Sequence, residues 1–344
     1  MRKKEESIKD VYVYPLEEKF RAKMGLPEGS GLGAIAITSG IEGGDWAEKE
    51  FGGARLGDKR LSRRLVEIAA DKAGEPGRSF SGVTEGDWPR VKGYYRFIDK
   101  PDDSAVTMSA ILQPHRERTI QRTKAQKTVL CIQDGSDLNY STLERCEGLG
   151  TIGTNQTGKQ SGGLHLHSTL VVTTEGLPLG VLRAECVARE AKPHKDARPL
   201  PAIPIEEKNT FSWIAGVRDC MDIKPLTPRT TLVSVMDREA DFFEIFDEQR
   251  RKSYGVELLI RAQHNRKTTG NHKLFDEVIQ SPVQAQITIK IQRQSARAKK
   301  KNQKARNKRE ARTAEVSVRY IRTELKPPPY FQDMTQIPLC GLSM

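Results

Sequence analysis

The sequence contains no long hydrophobic run. None of its 344 residues lies in a window of roughly 18 uninterrupted apolar residues, which is what a membrane-spanning helix needs. The basic start, Met1 to Ser7, leads into no apolar stretch of the kind found in secretory signals. Hydrophobic residues make up 36% and charged residues 30% of the chain, and the mean hydropathy is −0.60. We therefore exclude the membrane and secreted classes and expect a cytoplasmic protein of about two domains.

Cysteine is scarce and irregularly spaced. The five cysteines form no C-x-x-C pair, and their number is odd; they lie at positions 131, 146, 186, 220 and 340. This usage indicates a reducing compartment in which cysteines serve as small apolar side chains. Cys131 lies within a predicted buried strand without a basic neighbour, so we do not expect it to be a nucleophile.

Acidic residues are outnumbered by basic ones, and the excess is local. The chain carries 57 Lys and Arg against 45 Asp and Glu, a net charge of +12. The segment Arg293–Arg312 alone has ten basic residues and one acid, so it carries +9 and the rest of the chain only +3. Such a segment is either a solvated disordered loop or an arm that contacts nucleic-acid phosphates. Its Lys299, Lys300 and Lys301 are candidate DNA contacts.

The flanks of this basic segment favour the DNA-binding alternative. Residues 285–291 and 314–320 alternate between apolar and polar side chains, which predicts two half-buried strands. Two such strands around the basic segment form a β-hairpin that displays its charge at the tip.

The rest of the chain divides by pattern. Residues 1–44 resemble a leader or linker, and residues 45–125 predict a small helical domain with helices over 45–51, 56–74, 88–98 and 104–124. The second of these helices keeps Leu61, Leu65 and Ile68 on one face, with arginines around it. Residues 126–264 predict a mixed sheet in the order β-β-β-α-β-α-β. The predicted strands are 128–133, 164–173, 181–187, 231–235 and 256–261, and the helices are 209–221 and 241–249.

Two predicted strands end in an aspartate. Asp134 follows the first strand and Asp237 the fourth, and strand ends are where open α/β sheets place ligand sites. Two such carboxylates could share Mg²⁺ ions that activate water for phosphodiester cleavage. The simpler alternative is that Asp134 forms a turn and Asp237 caps a helix.

Several motifs carry a family resemblance. The segments Gln133-Asp-Gly-Ser-Asp-Leu-Asn-Tyr140 and Asp237-Arg-Glu-Ala-Asp241 resemble the first two catalytic motifs of bacterial DDE transposases of the insertion-sequence-four family. The motifs at 46–51, 56–60 and 95–98 resemble the N-terminal DNA-binding domain of that family. The motifs at 163–168 and 176–180 resemble segments of its sheet. The resemblance covers about residues 45–335.

The resemblance implies an α/β, ribonuclease-H-like mixed sheet with a β-rich insertion over 265–344, preceded by a helical DNA-binding domain. It implies Mg²⁺-dependent (or Mn²⁺-dependent) cleavage of double-stranded DNA at transposon ends and strand transfer into target DNA, by a homodimer in the bacterial nucleoid. Asp134 and Asp237 take the positions of the first two metal-binding aspartates. Arg261 falls near the DNA backbone, and Arg60 and Arg64 in the end-binding helix, where the alternative is a solvated face.

The sequence also departs from the family. Its third metal carboxylate, a Glu within a Tyr-x-x-Arg-x-x-x-Glu pattern, is not found, and Glu324 is a poor substitute because it lies in strand-like sequence. We therefore expect a truncated transposase that is inactive as given. The alternatives are a non-catalytic fragment that occupies transposon ends and a nucleic-acid packaging protein acting through the basic segment. His165 and His167 alternate on one strand face, which favours structural histidines over a zinc pair.

Overall fold

The computed structural model describes most of the chain beyond residue 44. The described ranges are 45–101, 103–143, 146–154, 160–189, 203–252, 255–270, 272–296, 307–331 and 337–343. No helix in these ranges is both long and apolar enough to cross a bilayer. The chain forms two compact units. The first takes in the described residues up to Leu130 with Leu170–Leu182 and Leu226–Thr230, and the second takes in Cys131–Thr169, Arg183–Pro225 and the described residues from Thr231.

The predicted helical region is confirmed. Asp58 begins the second helix by accepting a hydrogen bond from the backbone nitrogen of Arg60 at 2.8 Å. Leu65 is buried in the core of this region, and Leu61 and Ile68 pack against that core, as the spacing predicts. A short helix at Phe80–Val83 was not predicted. The five helices are α1 (Trp46–Phe51), α2 (Lys59–Gly74), α3 (Phe80–Val83), α4 (Trp88–Ile98) and α5 (Met108–Lys124).

A mixed six-stranded sheet follows, as expected for the α/β fold class. Its strands run in the order β2-β3-β1-β5-β6, with β4 also paired to β3. The strands are β1 (Thr128–Asn139), β2 (Gly150–Thr154), β3 (Gln160–Thr173), β4 (Pro178–Val187), β5 (Thr231–Met236) and β6 (Val256–Ile260). Helix α6 (Phe211–Ile223) precedes β5, and α7 (Phe243–Lys252) connects β5 to β6, which pair in parallel. A helical crossover is what parallel neighbours require.

The first strand is longer than predicted. The predicted strand covers 128–133, but β1 continues for six more residues to Asn139. The Asp-Gly-Ser sequence, which could form a turn, instead continues as strand paired with β3. A Cβ at Gly135 would lie 3.0 Å from the His165 ring, so glycine leaves room for that ring.

A second sheet has three strands in the order β7-β8-β9. The predicted hairpin is confirmed, since β7 (Val283–Ile291) and β8 (Arg312–Leu325) are antiparallel and Ile291 lies opposite Arg312. The expectation that both strands are half-buried was wrong for β7, which is exposed at all positions except Ile289 and Ile291. Alternation predicts an amphipathic strand but not whether its apolar face is covered. Helix α8 (Leu274–Gln280) and β9 (Ile337–Ser343) were not predicted.

A buried carboxylate links α1 to α5 in the first unit. Glu50 is 3% exposed and contacts His115 Nδ1 and Arg122 Nη1, each at 2.6 Å. His115 Nε2 accepts a hydrogen bond from the backbone nitrogen of Val181 on β4, so the His115 proton sits on Nδ1 and is donated to Glu50. Burial raises the pKa of Glu50, but the hydrogen bonds from His115 and Arg122 outweigh it and lower the pKa from 4.5 to about 2.

This pKa predicts how stability depends on pH. Because the folded pKa of Glu50 is depressed, its contribution is complete above pH 4.5 and is lost as the pH falls from 4.5 towards 2. A shift of this size corresponds to about 3 kcal/mol. We expect Glu50→Gln to lower the free energy of unfolding at neutral pH by a similar amount, about 3 kcal/mol. Urea unfolding followed by circular dichroism measures both effects.

Glu48→Gln is the matched control, since Glu48 is an exposed acid on the same helix. If both variants unfold at the same urea concentration at neutral pH, Glu50 does not hold this unit together.

Candidate functional site

Two helices of the first unit face each other across a cleft of about 490 Å³ rich in basic residues. On α4, Trp88, Lys92 and Arg96 are four residues apart, so they lie on one exposed face of the helix. On α2, Arg60 and Arg64 have the same spacing. The basic residues that line the cleft are Arg60, Arg64, Lys92, Arg96 and Lys100. We call this surface the basic cleft.

Local contacts orient the two predicted arginines. Arg60 forms an exposed ion pair with Asp58 at 2.9 Å, and its hydrogen bonds lower the pKa of that carboxyl. The guanidinium of Arg64 packs over Gly93, where a Cβ would collide with it. Arg64 also pairs with Glu67 at 3.3 Å. Both arginines therefore border the basic cleft, with Arg60 the more exposed.

Trp88 adds a large apolar surface to the cleft. It is 67% exposed at the first position of α4, and Asp87 caps this helix by accepting from the backbone nitrogen of Arg90. An exposed aromatic ring among basic side chains is a combination that nucleic-acid-binding surfaces use, since bases and sugars pack on the ring while the cations contact phosphates.

Comparison with known proteins decides the nature of this region. Residues 44–102 match the family model described as Transposase DNA-binding. The part of the chain that contains α1 to α4 is thus similar to a transposase DNA-binding domain. The match supports a DNA-binding transposase, in agreement with the resemblance found in the sequence, and the basic cleft lies within the matched DNA-binding region (residues 44–102).

Two solved transposase structures are also similar, at low levels. A piggyBac transposase synaptic complex with hairpin DNA shares 9% identity at a TM-score of 0.30, over 90% of this chain and 55% of that one. A pre-cleavage Mos1 transpososome shares 12% identity at a TM-score of 0.20, over 58% of this chain and 59% of that one. The chain thus spans less than two thirds of either protein. We draw no conclusion from likenesses at these scores.

The second unit carries the two predicted catalytic aspartates on neighbouring strands. Asp134 is exposed within β1, and Asp237 is exposed directly after β5. Gln133, beside Asp134, is buried and donates a hydrogen bond from Nε2 to Ser234 Oγ of β5 at 2.8 Å. This bond joins the two strands three residues before Asp237. Gly216 of α6 packs against this amide, and with a Cβ at that position the end of the Gln133 side chain would have to shift.

The first and last aspartates of the Asp237–Asp241 motif have different structural roles. The Asp237 carboxylate accepts a hydrogen bond from the backbone nitrogen of Glu239 at 2.7 Å, so it caps the short helix Arg238–Ala240, as the simpler alternative held. This bond leaves carboxylate lone pairs for another ligand. Asp241 is 4% exposed and its Oδ2 accepts from the backbone nitrogens of Gln263 and His264 at 2.6 and 2.7 Å.

Arg266 and Arg261 complete the surroundings of this motif. Arg266 Nη2 pairs with Asp241 Oδ1 at 2.7 Å, so Asp241 holds the segment after β6. Arg261 is exposed, and its backbone nitrogen donates to Met236 O at 3.1 Å. The strand pairing therefore brings Arg261 next to the position of Asp237, whereas its predicted contact with the DNA backbone stays a prediction.

The two strand histidines differ in environment. His165 Nδ1 lies 2.8 Å from Asp137 Oδ1, a pair that the sequence did not reveal. His167 is 1% exposed and packs edge-on against Trp213, with ring centroids 4.9 Å apart. Burial lowers the pKa of His167 to about 4, and the positive charge of Arg183 adds to this effect. A neutral, buried His167 fits the structural role that we expected.

The metal set remains incomplete in the described part of the chain. Within those ranges, no three His, Cys, Asp or Glu side chains come together in a group that could hold a metal ion. Glu324 lies in β8, as its strand-like sequence predicted. Lys299, Lys300 and Lys301 fall outside the described residues, so their contact with DNA stays a prediction.

Sequence reasoning missed the α4 half of the basic cleft. The four-residue spacing of Trp88, Lys92 and Arg96 is visible in the sequence. The sequence does not reveal that α2 lies opposite α4, and the cleft forms between these two helices. The roles of Asp241 and Asp137 depend on partners that are 22 to 28 residues away along the chain. No local pattern reveals such pairings.

The different surroundings of Asp237 and Asp241 give opposite mutational expectations. Asp241→Asn should lower the free energy of unfolding by about 3 kcal/mol, because it breaks a buried charge pair with Arg266. Asp237→Asn should change it by less than about 0.5 kcal/mol, because asparagine caps helices as well as aspartate does. Chemical denaturation of the two variants measures the difference. Equal losses in both would show that Asp237 is also a structural anchor.

Proposed function

We propose that this protein is a DNA-binding transposase of the insertion-sequence-four type that recognises transposon ends through the basic cleft. The observation that carries the proposal is the coincidence of the matched DNA-binding region with a cleft of five basic side chains and an exposed tryptophan. Double-stranded DNA is the ligand that such a surface suits, because its regularly spaced phosphates can pair with cations on two facing helices.

The cleft has separate parts for affinity and for recognition. Lys92, Arg96 and Lys100 are exposed, so they can bind phosphates without first breaking a buried contact. Arg60 must exchange its ion pair with Asp58 for a phosphate, a change that costs little at an exposed site. Trp88 offers an apolar surface for a sugar or base. Phosphate contacts position the helices, and contacts to base edges would give end specificity.

Lys92→Ala and Arg96→Ala should each weaken binding to a duplex selected from a random pool. Each lost phosphate contact should reduce the slope of log Kd against log salt concentration by about 0.9. The matched control is Arg63→Ala, which removes an exposed positive charge from α2 outside the cleft. Fluorescence anisotropy over a salt series measures the slopes. Binding that Arg63→Ala weakens as much as Arg96→Ala would place the DNA elsewhere.

We further propose that Asp134 and Asp237 are the carboxylates that would hold Mg²⁺, or Mn²⁺ in its place. Carboxylate oxygens are the ligands these hard cations prefer, and the Gln133–Ser234 bond supports bringing the two strands together. In such sites the ion activates a water and stabilises the leaving oxygen of the phosphodiester. The described residues supply two of the three carboxylates that the family uses, so the set does not fit a complete metal centre.

An incomplete set predicts little or no cleavage by this chain alone. Supercoiled plasmid carrying a selected binding site should stay intact with the protein and Mg²⁺ or Mn²⁺, as assayed by gel electrophoresis. Asp134→Ala should behave identically. Metal-dependent nicking that disappears in Asp134→Ala would overturn this prediction and would show that a third ligand comes from outside the described residues.

A non-catalytic role is the second candidate. The matched DNA-binding region does not depend on a metal centre, so the chain could occupy transposon ends without cutting them. End-specific binding measured by fluorescence anisotropy, together with an intact plasmid, would favour this role.

A further inference from the structure

Strand β7 presents an open edge in the described structure. It is the first strand in the order β7-β8-β9 and pairs only with β8 among the described residues. Seven of its nine residues are exposed, including the apolar Ile287 at 40%. The backbone donors and acceptors along the outer edge of such a strand are available to another strand.

The regular part of this edge has few of the features by which proteins block edge pairing. Between Ala285 and Ile291 there is one charge, Lys290, and no proline, and the irregularity in its pairing with β8 falls earlier, between Val283 and Ala285. Apolar and polar side chains alternate through this segment. An alternating and almost uncharged edge is a template for a partner strand.

We propose that β7 pairs antiparallel with β7 of a second copy of the chain, about a two-fold axis at Thr288. In this register Ala285 lies opposite Ile291 of the second copy, and Ile287 lies opposite its Ile289. Gln286 lies opposite its Lys290. Because side chains two residues apart share a face, the alanines and isoleucines of both copies form one continuous apolar stripe.

Charge supports this partner and this direction. Pairing centred at Thr288 places each Lys290 opposite a neutral Gln286, so no like charges meet across the edge. Each β7 leads at its C-terminal end into the basic segment Arg293–Arg312. Antiparallel pairing sends the two hairpin ends at which Ile291 lies opposite Arg312 to opposite ends of the joined sheet. Parallel pairing would bring them together.

Two charge variants of one residue test the register. Gln286→Lys puts a lysine opposite Lys290 of the second copy twice per dimer, and we expect about tenfold weaker self-association. Gln286→Glu places opposite charges there and should tighten self-association. Gln284→Lys is the control, since it adds a charge outside the regular segment, with neutral Gln292 opposite. Sedimentation equilibrium of the full chain without DNA measures the dissociation constants.

A cross-link provides a second measurement. The two-fold axis passes through Thr288, so Thr288→Cys should form a disulfide-linked dimer on mild oxidation, identified by peptide mass mapping. Ser317 is exposed but lies on the central strand β8, so Ser317→Cys should not form this disulfide.

A chain that stays monomeric at high concentration, or a dimer equally strong in all three charge variants, would overturn the proposal. Neither outcome depends on DNA binding.

Discussion

The first unit depends on one buried charge and the three basic side chains around it. A carboxylate as buried as that of Glu50 is tolerated only when it is paired, and it contacts His115, Arg122 and Arg118, all on α5. The same α5 side chains reach the start of β4, where Arg122 Nε donates to Leu179 O and His115 accepts from Val181. Helix α1, helix α5 and the turn into β4 are thus parts of one hydrogen-bonded network.

This network connects two motifs that are far apart in the sequence. Glu50 belongs to the motif at 46–51, and Gly180 ends the motif at 176–180. Gly180 has a φ of +140°, and a Cβ there would collide with Thr119 Oγ1 and lie 3.0 Å from both Arg122 and His115. Glycine is required both for its backbone conformation and for the close approach of α5. The motifs are therefore two sides of the same contact.

An element of the fold could be predicted from the sequence when the interactions that form it are local along the chain, and was missed when they join distant residues. The helices at 59–74 and 88–98 and the strands at 231–236 and 256–260 have clear periodicity and bounding residues, and they were predicted to within a few residues. The extension of β1 past Gly135 was missed because pairing with β3 outweighs a local turn signal. Strand β9 was missed because its position depends on pairing with β8.

The candidate site shows the same division. Asp134 and Asp237 were singled out because each directly follows a predicted apolar strand, and the motif residues marked them further. Nothing local indicated that Gln133 would bond to Ser234, which is 101 residues away. Lys92 and Arg96 were visible as residues, but their meaning depended on the facing helix α2. Residues that could bind a metal or DNA can thus be picked out from the sequence. The residues that they contact are determined by the tertiary fold.

The close contact between Gly216 and Gln133 links a residue without a functional group to the strand that carries Asp134 and the strand that precedes Asp237. Gly216 is buried in α6 and bears no functional group, yet any larger side chain there would displace the glutamine that ties β1 to β5. A substitution at this glycine would therefore act on the hydrogen bond between Gln133 and Ser234, which joins the strand that carries Asp134 to the strand that precedes Asp237. Such a change lies on a helix and contacts neither aspartate, so its effect would pass through Gln133.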